Sequence, residues 1–174
     1  MSHWLTGEEF AALFTSFDDT AWHLETRGKY SIADEQDAYT RFLAGQPVGT
    51  DWFRPWLDQV RELTAKGCRI GRVRLLDDPP TDYQRFELWG TPHNVAAGEE
   101  VSMLPTAAGR RLGLPDHDFW LFDSKRVVVS HFTDDGRLTG DQMFTDPETV
   151  DTHRQWWDVA VTHAVPYRAD GTEA

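Results

Sequence analysis

The sequence predicts an α+β fold, a mixed and largely antiparallel sheet packed by helices. Three observations predict it. Apolar stripes of helical period alternate with short runs of strand period up to about residue 112. Residues 118–144 then read as a three-stranded meander, and an amphipathic helix closes the pattern.

Thr6 and Glu9 form a capping box before Phe10, Leu13, Phe14 and Phe17, which recur at helical spacing. TAWHLETRG then alternates, with Trp22, Leu24 and Thr26 on one side and His23, Glu25 and Arg27 on the other, so His23 is expected to face solvent. Asp34 is expected to open a second helix through Ala38, Tyr39, Phe42 and Leu43, stopped by Gly45 and Pro47. Asp51 is expected to cap a third, with Trp56, Leu57, Val60 and Leu63 as its buried stripe and Gly67 at its C-terminal end. CRIGRVRLLDD reads as a strand ended by Pro79 and Pro80, which could pair in parallel with the first strand across these helices.

TDYQRFELWGTPHN predicts a helix broken at Gly90 and Pro92 and followed by irregular backbone. EEVSMLP reads as a strand and TAAGRRLG as a helical turn. DFWLFD and RVVVSHF form a hairpin around Asp123-Ser124-Lys125, and Asp135-Gly136 turns the chain into RLTGDQMF. Asp146 caps the last helix, with Pro147 in its first turn and Val150, His153, Trp157, Ala160 and Ala164 on one face. Residues 1–168 read as one globular domain and 169–174 as a disordered tail.

Seventeen basic against 29 acidic residues give a net charge of −12, which disfavours direct nucleic-acid binding. No apolar run approaches the roughly 20 residues needed to span a bilayer, so no membrane partner is expected. The single cysteine, Cys68, and the absence of a leader-like start suggest a cytoplasmic protein. Cys68 falls within a strand and reads as a small apolar filler.

Seven histidines do not fall at metal-binding spacing: His153 and His163 are nearly three helical turns apart, and no Cys/His zinc pattern is present. No metal or cofactor is expected. Glycine-flanked serine elbows and phosphate loops are also absent. Two groups of residues could bind a ligand. Arg69, Arg72 and Arg74 share one strand, with Arg85, Arg110 and Arg111 as possible companions, and could fork around a carboxylate or phosphate; pairing with the many acids is the competing reading. Tyr83, Glu87, Trp89, His93 and Asn94 would sit on the irregular segment, a common setting for binding.

His117 and Asp123 flank DFWLF, and with SKRVVV and the closing helix this segment resembles the end of a phospholipase D-type half domain. Active members of that family carry His, any residue, Lys, four residues, then Asp. Here Phe119 occupies the lysine position and the acid comes one residue early at Asp123. The resemblance therefore implies the fold without the charge stabilisation its chemistry requires. Similar non-catalytic half domains form effector-binding parts of some transcription regulators.

A larger share of the chain resembles an actinobacterial family described as a domain of unknown function. Its small acidic members are often encoded beside helix-turn-helix regulators. The residues carrying that likeness are TDYQRFELWGTPHNVAAGE at 81–99, DFWLFDSKRVVV at 118–129, DDGRLTG at 134–140 and the terminal HRQWWDVAVTHAVP. The leading expectation is a non-enzymatic regulatory module that binds a partner protein, such as a helix-turn-helix regulator, or a small anionic ligand. The alternative is a hydrolase or transferase in which Glu87, His93 and Asp123 converge with Trp89 or Trp120.

Overall fold

The computed structural model describes residues 2–168. Strand β1 (Ser2–Leu5) precedes helix α1 (Gly7–Ser16) and strand β2 (Thr20–Glu25). Helices α2 (Gln36–Leu43) and α3 (Arg54–Ala65) then lead to β3 (Arg69–Leu76), α4 (Asp82–Ala97), β4 (Glu100–Pro105) and α5 (Thr106–Arg111). Strands β5 (Asp118–Phe122), β6 (Arg126–Phe132) and β7 (Leu138–Phe144) form the expected meander, before α6 (Pro147–His163) and a short β8 (Val165–Pro166). The expected tail lies outside the described residues.

One eight-stranded sheet runs in the order β1-β7-β6-β5-β2-β3-β4-β8. Strands β2, β3 and β4 pair in parallel through helical crossovers, and the other pairings are antiparallel. The sheet is thus mixed and mostly antiparallel, as expected. Edge strands β1 and β8 were not foreseen; four and two residues are too short to display a period.

The capping box at Thr6 and Glu9 is formed, and Asp146 accepts from the Thr149 N–H at the start of α6. Asp34 and Asp51 do not cap helices. Each lies in a short 3₁₀ turn, Ala33–Glu35 or Asp51–Phe53, that leads into the helix.

Helix α4 is continuous through Gly90 and Pro92, correcting the expected break. Its ends are fixed independently: a Thr81–Gln84 capping box starts it and Gly98, at a φ of 108°, ends it. Burial of Tyr83, Gln84, Phe86, Thr91, Asn94 and Ala97 along one side offsets the cost of an interior proline.

Helices cover both faces of the sheet. On one face Ala21, Ile70, Trp120, Phe122 and Val128 pack under α1 and α3. On the other, Leu24, Val73, Leu75, Phe119, Leu121 and Val127 pack under α6 and part of α5. This double cover corrects the expectation for His23. Its ring stacks on Trp120 at 4.3 Å, and burial lowers its pKa to about 3, against the opposing pull of Glu25. Alternation separates the two faces of a strand but does not say that either meets water.

Candidate functional site

Where the parallel strands end, the α3/α4 face carries a buried row of polar side chains. Glu25 pairs across to Arg74, Asp118 to Ser130, and Ser130 to Asp141. Leu24 opposite Phe119 sets Glu25 beside Asp118.

Two of the three arginines of β3, Arg72 and Arg74, are fully engaged here. Arg72 donates to Glu25 at 2.7 Å and Glu99 at 2.5 Å, and its guanidinium lies 5.6 Å from the Trp56 ring centroid. Arg74 donates to the other oxygen of Glu25 at 2.6 Å and to Thr91 Oγ1 at 2.8 Å. Glu99 also accepts from Trp56 Nε1 and Asn94 Nδ2 at 3.1 and 2.7 Å. Two guanidinium groups therefore face two saturated carboxylates, the geometry in which buried charge is tolerable. The arginines hold the Glu25 carboxyl well below the usual range despite its burial.

Glu87 behaves differently. Its carboxyl reaches only to 3.8 Å from Arg74 Nε, and burial pushes its pKa up to about 8. At neutral pH it is largely protonated, which leaves the cluster close to electroneutral. Tyr83 donates to Glu35 beside it, and burial raises both groups.

Two aspartates bracket β5 as loop latches. Asp123 accepts from the backbone N–H groups of Asp18, Asp19 and Thr20 at 2.9–3.0 Å, fixing the entry to β2. Asp118 accepts from Thr26 N and Oγ1 at 2.8 and 2.7 Å and from Tyr30 OH at 2.5 Å, fixing the exit. Burial nevertheless raises Asp118 to about 6.

Above this row lies a cleft of about 840 Å³. It opens where ligands characteristically bind open α/β sheets, outside the carboxyl ends of parallel strands. Thr26, Arg27, Gly28 and Lys29 leave β2, Leu75 ends β3, and Thr106, Gly109 and Arg110 follow β4. Tyr39, Leu43 and Leu114 supply apolar wall.

Arg27 donates from Nη2 to Thr133 O at 2.8 Å, but its Nε is buried without a hydrogen-bond partner, as is Thr106 Oγ1. Lys29 and Arg110 make no ion pair among the described residues. Of the acids lining the cleft, Asp82 is held by Arg85, and Asp116 and Asp134 sit at the edge.

The residues singled out in the sequence do not form one site. Arg69 points to the α6 face, pairs bidentately with Glu100 at 2.8 Å and lies over Trp22, away from Arg72 and Arg74. Arg85 pairs with Asp82 on the exposed side of α4, and Arg110 and Arg111 belong to α5. Tyr83, Glu87 and Asn94 lie on the sheet side of α4, whereas Trp89 and His93 pack with Phe53. Trp120 is core, against Phe14, Trp56 and His23.

Glu87, His93 and Asp123 do not converge. Asp123 joins the β2 entry at Thr20, and Glu87 neighbours Arg74 opposite Glu25 at its exit. Five strand residues separate those ends, roughly 16 Å. Phe119, at the lysine position of the phospholipase D-type motif, is fully buried among core side chains.

Glu25, Glu99, Asp118, Arg27 and Thr106 were missed. Arg72 and Arg74 on the same side of an apolar strand called for buried carboxylate partners, and that was the available signal for Glu25 and Glu99.

The chain belongs to the family described as Domain of unknown function (DUF6879), whose model matches residues 8–169. No curated protein matches it. Among solved structures it is similar to the phospholipase D family member Nuc from Salmonella typhimurium. That likeness has 9% identity and a TM-score of 0.56 over 97% of each chain. It is also similar to NucT from Helicobacter pylori, at 9% identity and a TM-score of 0.52 over 96% of this chain and 98% of that one. At such identity the likeness shows a shared phospholipase D-like fold.

Proposed function

Taking membership of this family as the premise, we propose that the protein is a non-enzymatic binding module. Its ligand is a small molecule bearing one anionic group, carboxylate or phosphate, seated in the cleft at the ends of β2, β3 and β4. The observation that carries the reading is the set of basic side chains lining that cleft: Arg27, whose guanidinium makes one hydrogen bond, and Lys29 and Arg110, which make no ion pair among the described residues. An anion seated there would pair with these cations, and a small side-chain shift would bring the buried, unpartnered Arg27 Nε and Thr106 Oγ1 to it. Acidic Asp116 and Asp134 at the rim favour a ligand of low total charge over a polyanion.

Support against catalysis comes from the placement of the charged side chains. Arg72, Arg74, Glu25 and Glu99 neutralise one another, and Asp123 is spent on three backbone N–H groups. A cytoplasmic setting accords with a chain whose one cysteine is free. In this reading the protein, of an actinobacterial family with members encoded beside helix-turn-helix regulators, reports ligand occupancy to such a regulator as its protein partner.

The test is a thermal-shift and calorimetric panel of inorganic phosphate, acetate, citrate and a nucleoside monophosphate. At a hundredfold excess over Kd a binder stabilises by about 2.7 kcal/mol. Arg27→Gln and Arg110→Ala should each abolish the shift, and Arg69→Ala should keep it. Turnover of phosphodiesters or esters at an ordinary enzymatic rate, or equal loss in Arg69→Ala, would refute the reading.

A further inference from the structure

A separate pair of side chains on the opposite face of the sheet has the geometry of a metal site. His117, just before β5, and His153, on α6, place their Nε2 atoms 3.1 Å apart. His153 Nδ1 lies 2.8 Å from the Thr149 carbonyl, which can only accept, so this nitrogen carries the proton and Nε2 presents a lone pair. His117 Nδ1 has the Asp116 carboxylate 4.0 Å away, which favours a proton on that nitrogen too. Both rings are thereby biased towards presenting Nε2 lone pairs to the space between them.

We propose that His117 and His153 bind one divalent transition-metal ion of the Zn²⁺ or Co²⁺ type through their Nε2 atoms. Metal–nitrogen bonds of about 2.05 Å spanning 3.1 Å subtend about 100° at the ion, between the octahedral and tetrahedral values. Without an ion, one ring must carry its proton on Nε2 to make an N–H···N bond. If that ring is His117, its Nδ1 then turns a lone pair towards Asp116. On binding, the His117 proton moves to Nδ1, on the side of the Asp116 carboxylate 4.0 Å away, and nothing else is displaced.

The Thr149 carbonyl fixes the second ring in the same way, the outer-shell support that metal-ligating imidazoles usually have. Phe119 and Trp156 wall the pair at ring distances of 4.8 and 4.9 Å from His153, which limits its rotation. Among the described residues no third His, Cys, Asp or Glu joins them. The remaining positions on the ion therefore belong to water or to an external ligand, reached past His117, whose side chain is one third exposed.

The test is titration of the whole protein with Co²⁺, read by its visible d–d absorption, and with Zn²⁺ by calorimetry. One ion per chain is expected. His117→Gln and His153→Gln should each weaken binding at least tenfold and Asp116→Asn several-fold, second-sphere losses of about 10–100-fold being the known scale. His3→Gln and His163→Gln should leave it unchanged. If His153→Gln fails to fold, His117→Gln at the more exposed of the two positions, with folding checked by circular dichroism, decides alone. No binding at millimolar ion, unchanged affinity in His117→Gln, or an equal loss in His163→Gln would overturn the proposal.

Discussion

Replacing Glu87 by Gln should change how stability depends on pH more than it changes stability itself. Glu87 is buried against Arg74 at 3.8 Å, and its pKa rises from 4.5 to about 8 chiefly because burial penalises the charged form. The folded protein thus holds this proton more tightly than the unfolded chain. The corresponding stability is complete below pH 4.5 and is lost as pH rises towards 8. At 1.36 kcal/mol per pKa unit, the part of that loss falling between pH 6 and 9 is about 2–3 kcal/mol. For a chain of this size it corresponds to roughly 5–10 °C in Tm.

Glutamine keeps the volume and the hydrogen-bonding head but carries no titrating proton. Urea denaturation followed by tryptophan fluorescence at pH 6, 7, 8 and 9 should show the wild type losing those 2–3 kcal/mol relative to Glu87→Gln. A difference that stays constant across this range, or that favours the wild type as pH rises, would refute the claim that Glu87 is a protonated, poorly paired member of the cluster.

Arg72→Met should cost about 3–5 kcal/mol in urea denaturation, because it leaves Glu99 buried without a cation and Glu25 with Arg74 alone. Asp123→Ala removes the acceptor for three backbone N–H groups and should cost about 2–3 kcal/mol. Because the Asp123 pKa is lowered, that contribution is present above pH 3.8 and fades below it, so the mutant and wild type should converge in acid-titrated melts. Phe119→Lys, which restores the residue type of active phospholipase D-type motifs, should destabilise by at least about 4 kcal/mol and yield no phosphodiesterase activity, since position 119 is sealed in the core. Ser124→Gly should add about 0.5–1 kcal/mol in thermal melts, since Ser124 holds a φ of 52° in the β5–β6 turn.

Much of the architecture was legible because it is written in local signals. The Thr6–Glu9 capping box, the Asp146 N-cap, the Asp135-Gly136 turn and helical or alternating periods placed α1, α6 and the β5–β7 meander close to where they lie. Helix α4 was misread because a proline within a polar stretch signals a break locally, whereas the side chains that keep the helix continuous face a sheet formed by distant sequence. The site was less legible for the same reason. Arg72 and Arg74 could be recognised as candidates for pairing, but Glu25 is 47 residues from Arg72 in the chain and meets it only through the parallel register of β2 and β3. His117 and His153 are 36 residues apart, and no spacing rule within one helix or strand connects them. Arg27 and Thr106 look ordinary in sequence, and their unmet hydrogen-bonding capacity exists only once the strand ends are assembled.

The most direct measurement is an amide NMR shift map of the wild-type protein titrated with whichever panel anion stabilises it most. The account predicts that perturbations concentrate on residues 26–29, 81–83 and 106–110 around the strand-end cleft. A map centred instead on Arg69, Glu100 and Arg154 at the other end of the sheet, or one that stays silent at saturating anion, would contradict it.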